Sequence, residues 1–318
     1  MSKIRIATVL DPFTDRNLAL AAQCGVDDVV LRFPGSYQDT LANLCRRVES
    51  FGMRVSVIEG FLPIEEIKLG TPEREREIQD MISLVQEMGA QGVEILCYNM
   101  LSGSDWSRTS TTEKERGGAL VTAFDRTSGE FVEAIRSDSV VSENQLWEHL
   151  QWFLDRLLPV AEEAGVALTM HPDDPPLPTL GGQARIMWNV EAFERLLELY
   201  ESPSNGICFC QGTFAEMGVD IPETIRHLAR RIRYVHFRDI RHTENGFVES
   251  FHDNGDTDMF AAMQAYHEIG YDGAMRPDHV PQLCGEEDEN PGYSMLGRLY
   301  AFGYMRGLMQ SAASFPGP

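Results

Sequence analysis

Eight short apolar runs bounded by turn residues recur along the chain: Ile4 to Leu10, Val26 to Leu31, Val55 to Ile58, Val93 to Tyr98, Val166 to Met170, Ile207 to Cys210, Ile232 to Phe237 and Gly273 to Met275. Between them apolar residues return every three or four positions, as at Leu41, Leu44, Cys45 and Val48. That is the period of a helix face packed on a core. Gly25, Gly52, Gly89, Gly165 and Gly270 each stand where a helical pattern gives way to the next run, the place of a left-handed C-terminal cap. The alternation predicts an α/β fold, a closed (β/α)8 TIM barrel. An open doubly wound sheet usually carries a Gly-rich phosphate turn after its first strand, and no GxGxxG follows the first run here.

A chain of 318 residues, 43% apolar, can bury one large core. With no Pro-rich or Ser-rich linker and no step in composition, one barrel domain over 1–318 is expected. One connection breaks the rhythm: residues 100–141 separate the fourth run from a helix beginning near Ser142, far beyond a typical βα loop. Its alternating stretches, Ala119 to Phe124 and Phe131 to Ile135, flank the turn-like Arg126-Thr127-Ser128-Gly129 and predict a β-hairpin lid over the barrel mouth.

The net charge of -22, from 49 acidic against 27 basic residues, repels phosphate backbones and anionic lipid, so neither nucleic acid nor a membrane is expected as a partner. An acidic small substrate would be repelled too, which requires cations or a metal inside the site. Six cysteines at irregular separations read as thiols of a reducing compartment, and no run is long enough for a membrane span. A soluble cytoplasmic protein is expected.

In such a barrel the site lies at the carboxyl ends of the strands. Runs five to eight end in His171, Cys210, His236 and Asp278. Neighbouring strands sit about 5 Å apart, so four consecutive strand ends can converge on one point. A lone His or Cys at a strand end is more often a satisfied core residue, but two imidazoles, a thiolate and a carboxylate together suit one divalent cation: Mn²⁺ or Fe²⁺, with Co²⁺ or Zn²⁺ admitted by the sulfur. Cys24, Cys45, Cys97 and Cys208 are assigned to the core.

The sequence also resembles the mannonate dehydratase family, metal-dependent lyases with a xylose-isomerase-like barrel. The resemblance rests on ordered segments that include Val57-Ile58-Glu59, Cys97-Tyr98-Asn99, Asp105-Trp106-Ser107-Arg108-Thr109, His171-Pro172-Asp173-Asp174, Cys210-Gln211-Gly212, Val235-His236-Phe237-Arg238, Arg276-Pro277-Asp278-His279 and Pro291-Gly292-Tyr293-Ser294. It implies the same four ligands, acid–base roles for His279 and Tyr293, and substrate contacts from Arg108, Asn99 and Arg238, with Arg108 as a bidentate carboxylate clamp. The implied reaction takes D-mannonate to 2-keto-3-deoxy-D-gluconate plus water, in a homo-oligomer, a dimer first. Which of His279 and Tyr293 is the acid stays open at this point. The chain is shorter than familiar members and looks compressed from Glu249 to Gly255, which bears on the substrate; a dehydratase for another aldonic acid, or a sugar isomerase or epimerase on the same barrel, is the alternative.

Overall fold

The computed structural model describes residues 4–103, 106–128, 140–286 and 290–314. Eight parallel strands close into a barrel: β1 (Arg5–Val9), β2 (Asp28–Leu31), β3 (Arg54–Glu59), β4 (Ile95–Tyr98), β5 (Ala167–Met170), β6 (Asn205–Cys210), β7 (Ile232–Phe237) and β8 (Ala274–Pro277). Every strand pairs with its sequence neighbours, and β8 closes onto β1 through Arg5 opposite Ala274 and Ile6 opposite Met275. All eight predicted runs are barrel strands. They read as nearly unbroken apolar runs because both faces are covered, by helices outside and by the barrel's own filling inside.

That filling is a small cluster of Ala7, Val9, Val30, Val57, Ile95, Cys97, Cys208, Tyr234 and Ala274, all buried. Cys97 and Cys208 are thus interior residues, as assigned. The helices pack a larger apolar layer on the outside, and their starts are capped by Thr14, Thr40, Ser142, Asn189, Asp220 and Asp258, each accepting a backbone N–H from the first turn. Such caps contribute about 1 kcal/mol apiece. Four of the five predicted terminating glycines have the positive φ of a helix end: Gly25, Gly52, Gly165 and Gly270. Gly89 is the exception, because the helix Arg74–Gln91 runs through it and stops at Gly92. A Cβ at Gly89 would lie 2.7 Å from the Ala164 carbonyl oxygen, so this glycine lets two helices approach rather than ending one.

The long connection also departs from expectation. Leu120–Asp125 is a strand, but it pairs with Ser110–Lys114 on one edge and with Gly246–Glu249, from the loop after β7, on the other. Ile240–Thr243 completes this four-stranded antiparallel sheet. The expected partner, 131–135, lies outside the described residues. Alternation marks a strand but carries no information on which distant strand supplies its hydrogen bonds. Among the described residues, no helix is long and apolar enough to cross a membrane.

Candidate metal centre and active site

The carboxyl ends of β1 to β5, β7 and β8 open onto a cavity of about 450 Å³, within the range of small-molecule sites. His171, His236, Asp278, His279, Tyr293 and Asn99 are on its wall. Cys210 is buried just behind, at the last residue of β6 and opposite His236 in register.

Three of the four predicted ligands, His171, Cys210 and His236, have donor atoms within 4.8 Å of one another. The fourth, Asp278, places Oδ2 3.5 Å from His236 Nδ1 and 3.8 Å from the Cys210 sulfur. The tautomers are set from outside the cluster. His171 Nδ1 is 2.7 Å from the Pro172 carbonyl oxygen and must donate to it; His236 Nε2 is 2.9 Å from Glu59 Oε2 and must donate there. Each ring therefore turns its other nitrogen, His171 Nε2 and His236 Nδ1, into the cluster, and these two face each other at 3.2 Å. Two imidazole nitrogens this close need a shared proton or a cation between them. Together with the adjoining sulfur and carboxylate they fit a divalent metal, with hydrogen-bond partners behind both imidazoles as metal-ligating histidines require.

The electrostatics follow the same geometry. Burial opposes a thiolate, yet His171 and His236 hold the Cys210 thiol well below its ordinary range. Burial likewise opposes a charged His171, but the Cys210 thiolate overrides it and raises the imidazole to about 9. Asp278 stays ionised against burial because the Arg276 guanidinium donates to it at 2.6 Å.

Glu59 is the residue that the strand-end reading passes over. Buried at the end of β3, it accepts from Tyr234, His236 and Arg276, and from Arg32 at 3.1 Å. Arg276 and His236 hold its carboxyl well below the usual range against the cost of burial. The signal was available: Glu59 and Arg32 are the polar residues that end or follow β3 and β2, but neither carries the ligand signature of His or Cys.

His279 directly follows Asp278 with φ of +46°, a left-handed conformation that histidine tolerates better than most residues. Its Nδ1 is 2.8 Å from Glu249 Oε1, with Arg108 Nη2 at 3.1 Å. The Trp106 ring covers its face with centroids 4.8 Å apart. Tyr293 meets His279 edge to face, centroids 5.7 Å apart, and lies under two guanidinium groups, Arg32 at 5.0 Å and Arg298 at 5.3 Å.

The predicted substrate contacts separate. Asn99 is on the wall, its Oδ1 accepting from Lys68 Nζ and Leu101 N. Arg108 and Arg238 are not on the wall. Arg108 binds Asp174 with both Nη atoms and Glu249 with Nη2; Arg238 binds Asp174, Glu216 and Glu249, and reaches the Cys210 sulfur at 3.7 Å. A clamp needs donors facing the ligand, whereas these are committed to buried carboxylates. The motif marks them as close to the site without showing which way they point.

A sequence model of the family described as D-mannonate dehydratase (UxuA) matches residues 36–143 and 127–315. The chain is 33% identical over 302 residues to a mannonate dehydratase of Streptococcus agalactiae serotype Ia, covering 86% of each. This chain belongs to the mannonate dehydratase family. A second member, from Thermotoga petrophila, is 34% identical over 309 residues, covering 86% of this chain and 85% of that one. The crystal structure of the mannonate dehydratase from Streptococcus suis serotype 2 superposes with a TM-score of 0.90 at 29% identity, over 100% of this chain and 96% of that one. An L-ribulose 3-epimerase shares the barrel alone, with a TM-score of 0.64 at 14% identity over 99% of this chain and 96% of that one. The family makes this chain an enzyme of the hydro-lyase type.

Proposed function

We propose that this enzyme dehydrates D-mannonate to 2-keto-3-deoxy-D-gluconate, using a divalent cation, Mn²⁺ or Fe²⁺ before Co²⁺ or Zn²⁺, held by His171, Cys210, His236 and Asp278. The observation that carries the reading is the pair of imidazole nitrogens of His171 and His236, facing each other at 3.2 Å beside the Cys210 sulfur and a carboxylate. When bound, the cation supplies Lewis acidity that makes the proton beside a carboxylate removable and stabilises the charge left behind.

The chain's own groups divide the two proton transfers. Glu249 accepts the Nδ1 proton of His279, so Nε2 carries the lone pair, and the buried carboxylate suits a ring that becomes a cation on accepting the C2 proton. Tyr293 lies under two guanidinium groups, surroundings that suit a group left as an anion once it protonates the departing C3 hydroxyl. The hydroxyl leaves as water, and the remaining enol takes a proton at C3 to become the 2-keto acid. His279 is thus the base and Tyr293 the acid. Trp106 covers one side of His279 and limits its contact with bulk water.

Incubating the Mn²⁺-loaded protein with a panel of aldonic acids and measuring 2-keto-3-deoxy acid tests the reading. Product from D-mannonate supports it; product from another aldonate alone corrects the substrate, and none from any refutes it.

A further inference from the structure

The net charge of -22 must be reversed locally if an anion is to enter this cavity. Two guanidinium groups line it, Arg276 and Arg32. Arg276 is closed around carboxylates, with Nε and Nη2 on Glu59 and Nη1 on Asp278. Arg32 has one carboxylate partner, Glu59 on its Nη1, and its side chain also hydrogen-bonds Tyr293 at the cavity wall.

The surrounding loop is shaped to this side chain. Arg32 follows the last residue of β2, and its guanidinium lies between two rings, 5.5 Å from the centroid of Phe61 and 5.0 Å from that of Tyr293. Gly60 supplies the room, since a Cβ there would stand 2.9 Å from Arg32 Nη1. Phe61 then turns back at φ of +55°, a strained conformation for a bulky side chain, and leaves its ring 68% exposed at the rim. A planar cation stacked between aromatic faces, held at one corner by a carboxylate and set in the cavity wall, has the form of a carboxylate receptor. Because Glu59 also orients His236, receptor and metal ligand share one rigid anchor.

We infer that Arg32 recognises the substrate's carboxylate, the role that Arg108 and Arg238 cannot fill, so that the site selects an aldonate anion over the neutral polyol of the same skeleton. The inference deepens the dehydratase reading and depends on it only for the identity of the acid.

The test uses Tyr293→Phe protein loaded with Mn²⁺, in which D-mannonate can be titrated calorimetrically without turnover. Adding Arg32→Met should weaken D-mannonate binding about 10- to 100-fold, the worth of a lost hydrogen-bonded charge. Arg32→Lys should fall between, and both should keep metal content, melting temperature and the weak binding of D-mannitol. With Tyr293 intact, Arg32→Lys should raise KM more than it lowers kcat. Mannonate affinity within about threefold of the parent in Arg32→Met overturns the inference, as does an equal loss of D-mannitol. If Arg32 served only to position Tyr293, its removal in the Tyr293→Phe protein would have no effect, which also overturns it. A parent with Tyr293 intact that binds D-mannonate but never dehydrates it refutes the proposed function and leaves the Arg32 comparison readable. A parent that binds no D-mannonate overturns both.

Discussion

His236 stands near the end of β7 and His279 just beyond the end of the adjacent β8, and each is hydrogen-bonded to a buried glutamate, yet through opposite ring nitrogens. Glu59 takes Nε2 of His236 and leaves Nδ1 facing His171; Glu249 takes Nδ1 of His279 and leaves Nε2, 3.7 Å from Asp278 Oδ1, for the proton transfer proposed above. The glutamates differ in what else they hold. Glu59, on the cavity wall, gathers Arg32, Arg276 and the interior Tyr234, while Glu249 is locked behind the wall with Arg108 and Arg238. The lesson is that a histidine's chemistry is set by which nitrogen its partner occupies and by what that partner is tied to, not by the His–Glu pairing itself.

The largest effects should separate the two rings. His279→Asn should lower kcat about 10²- to 10⁴-fold while metal content by elemental analysis stays at the parent's level. His236→Asn should lose both metal and turnover; retention of metal would break the comparison. Cys210→Ser should behave like His236→Asn, because it removes the thiolate that the cluster is built around.

Smaller effects should come from the glutamates. Glu59→Gln should weaken metal affinity about 10- to 100-fold, read by competition with a chelator, since a carboxylate behind a ligating histidine raises its basicity. Glu249→Gln should leave metal affinity in place and lower kcat by less than His279→Asn does. A loss of metal from this variant would show that the two glutamates do the same work.

The smallest effect is on acid stability. Burial opposes the Glu249 carboxylate, but Arg238, His279 and Arg108 hold its pKa at about 2, against an ordinary 4.5. A depressed folded-state pKa contributes stability that is complete above the unfolded value and lost as pH falls through the folded one. Melting temperature should therefore drop between pH 4.5 and 2, and Glu249→Gln should flatten that part of the profile. An unchanged slope would remove Glu249 from the account.

Much of the molecule was legible in the chain. The eight runs and their helical intervals carry the barrel, because burial on both faces leaves an apolar signature strong enough to read without partners. His171, Cys210, His236 and Asp278 could be found from strand ends because parallel order makes consecutive ends neighbours in space. Glu59 and Arg32 occupy the same kind of position and escaped notice, since an acidic or basic residue at a strand end is as often a surface residue as part of a site.

The order of the strands and the approximate point where four donor groups meet were thus determined by the sequence itself, through hydrophobic period and strand succession. The tertiary structure alone decided which strand pairs with Leu120–Asp125, that Gly89 serves a helix contact, that Arg108 and Arg238 turn toward carboxylates, and which nitrogen each histidine offers. Those choices depend on side chains brought together from dozens or hundreds of residues apart, as with Glu59 and Arg276 or Arg108 and Glu249. Local propensity and period carry no term for the direction in which a side chain points once such partners arrive.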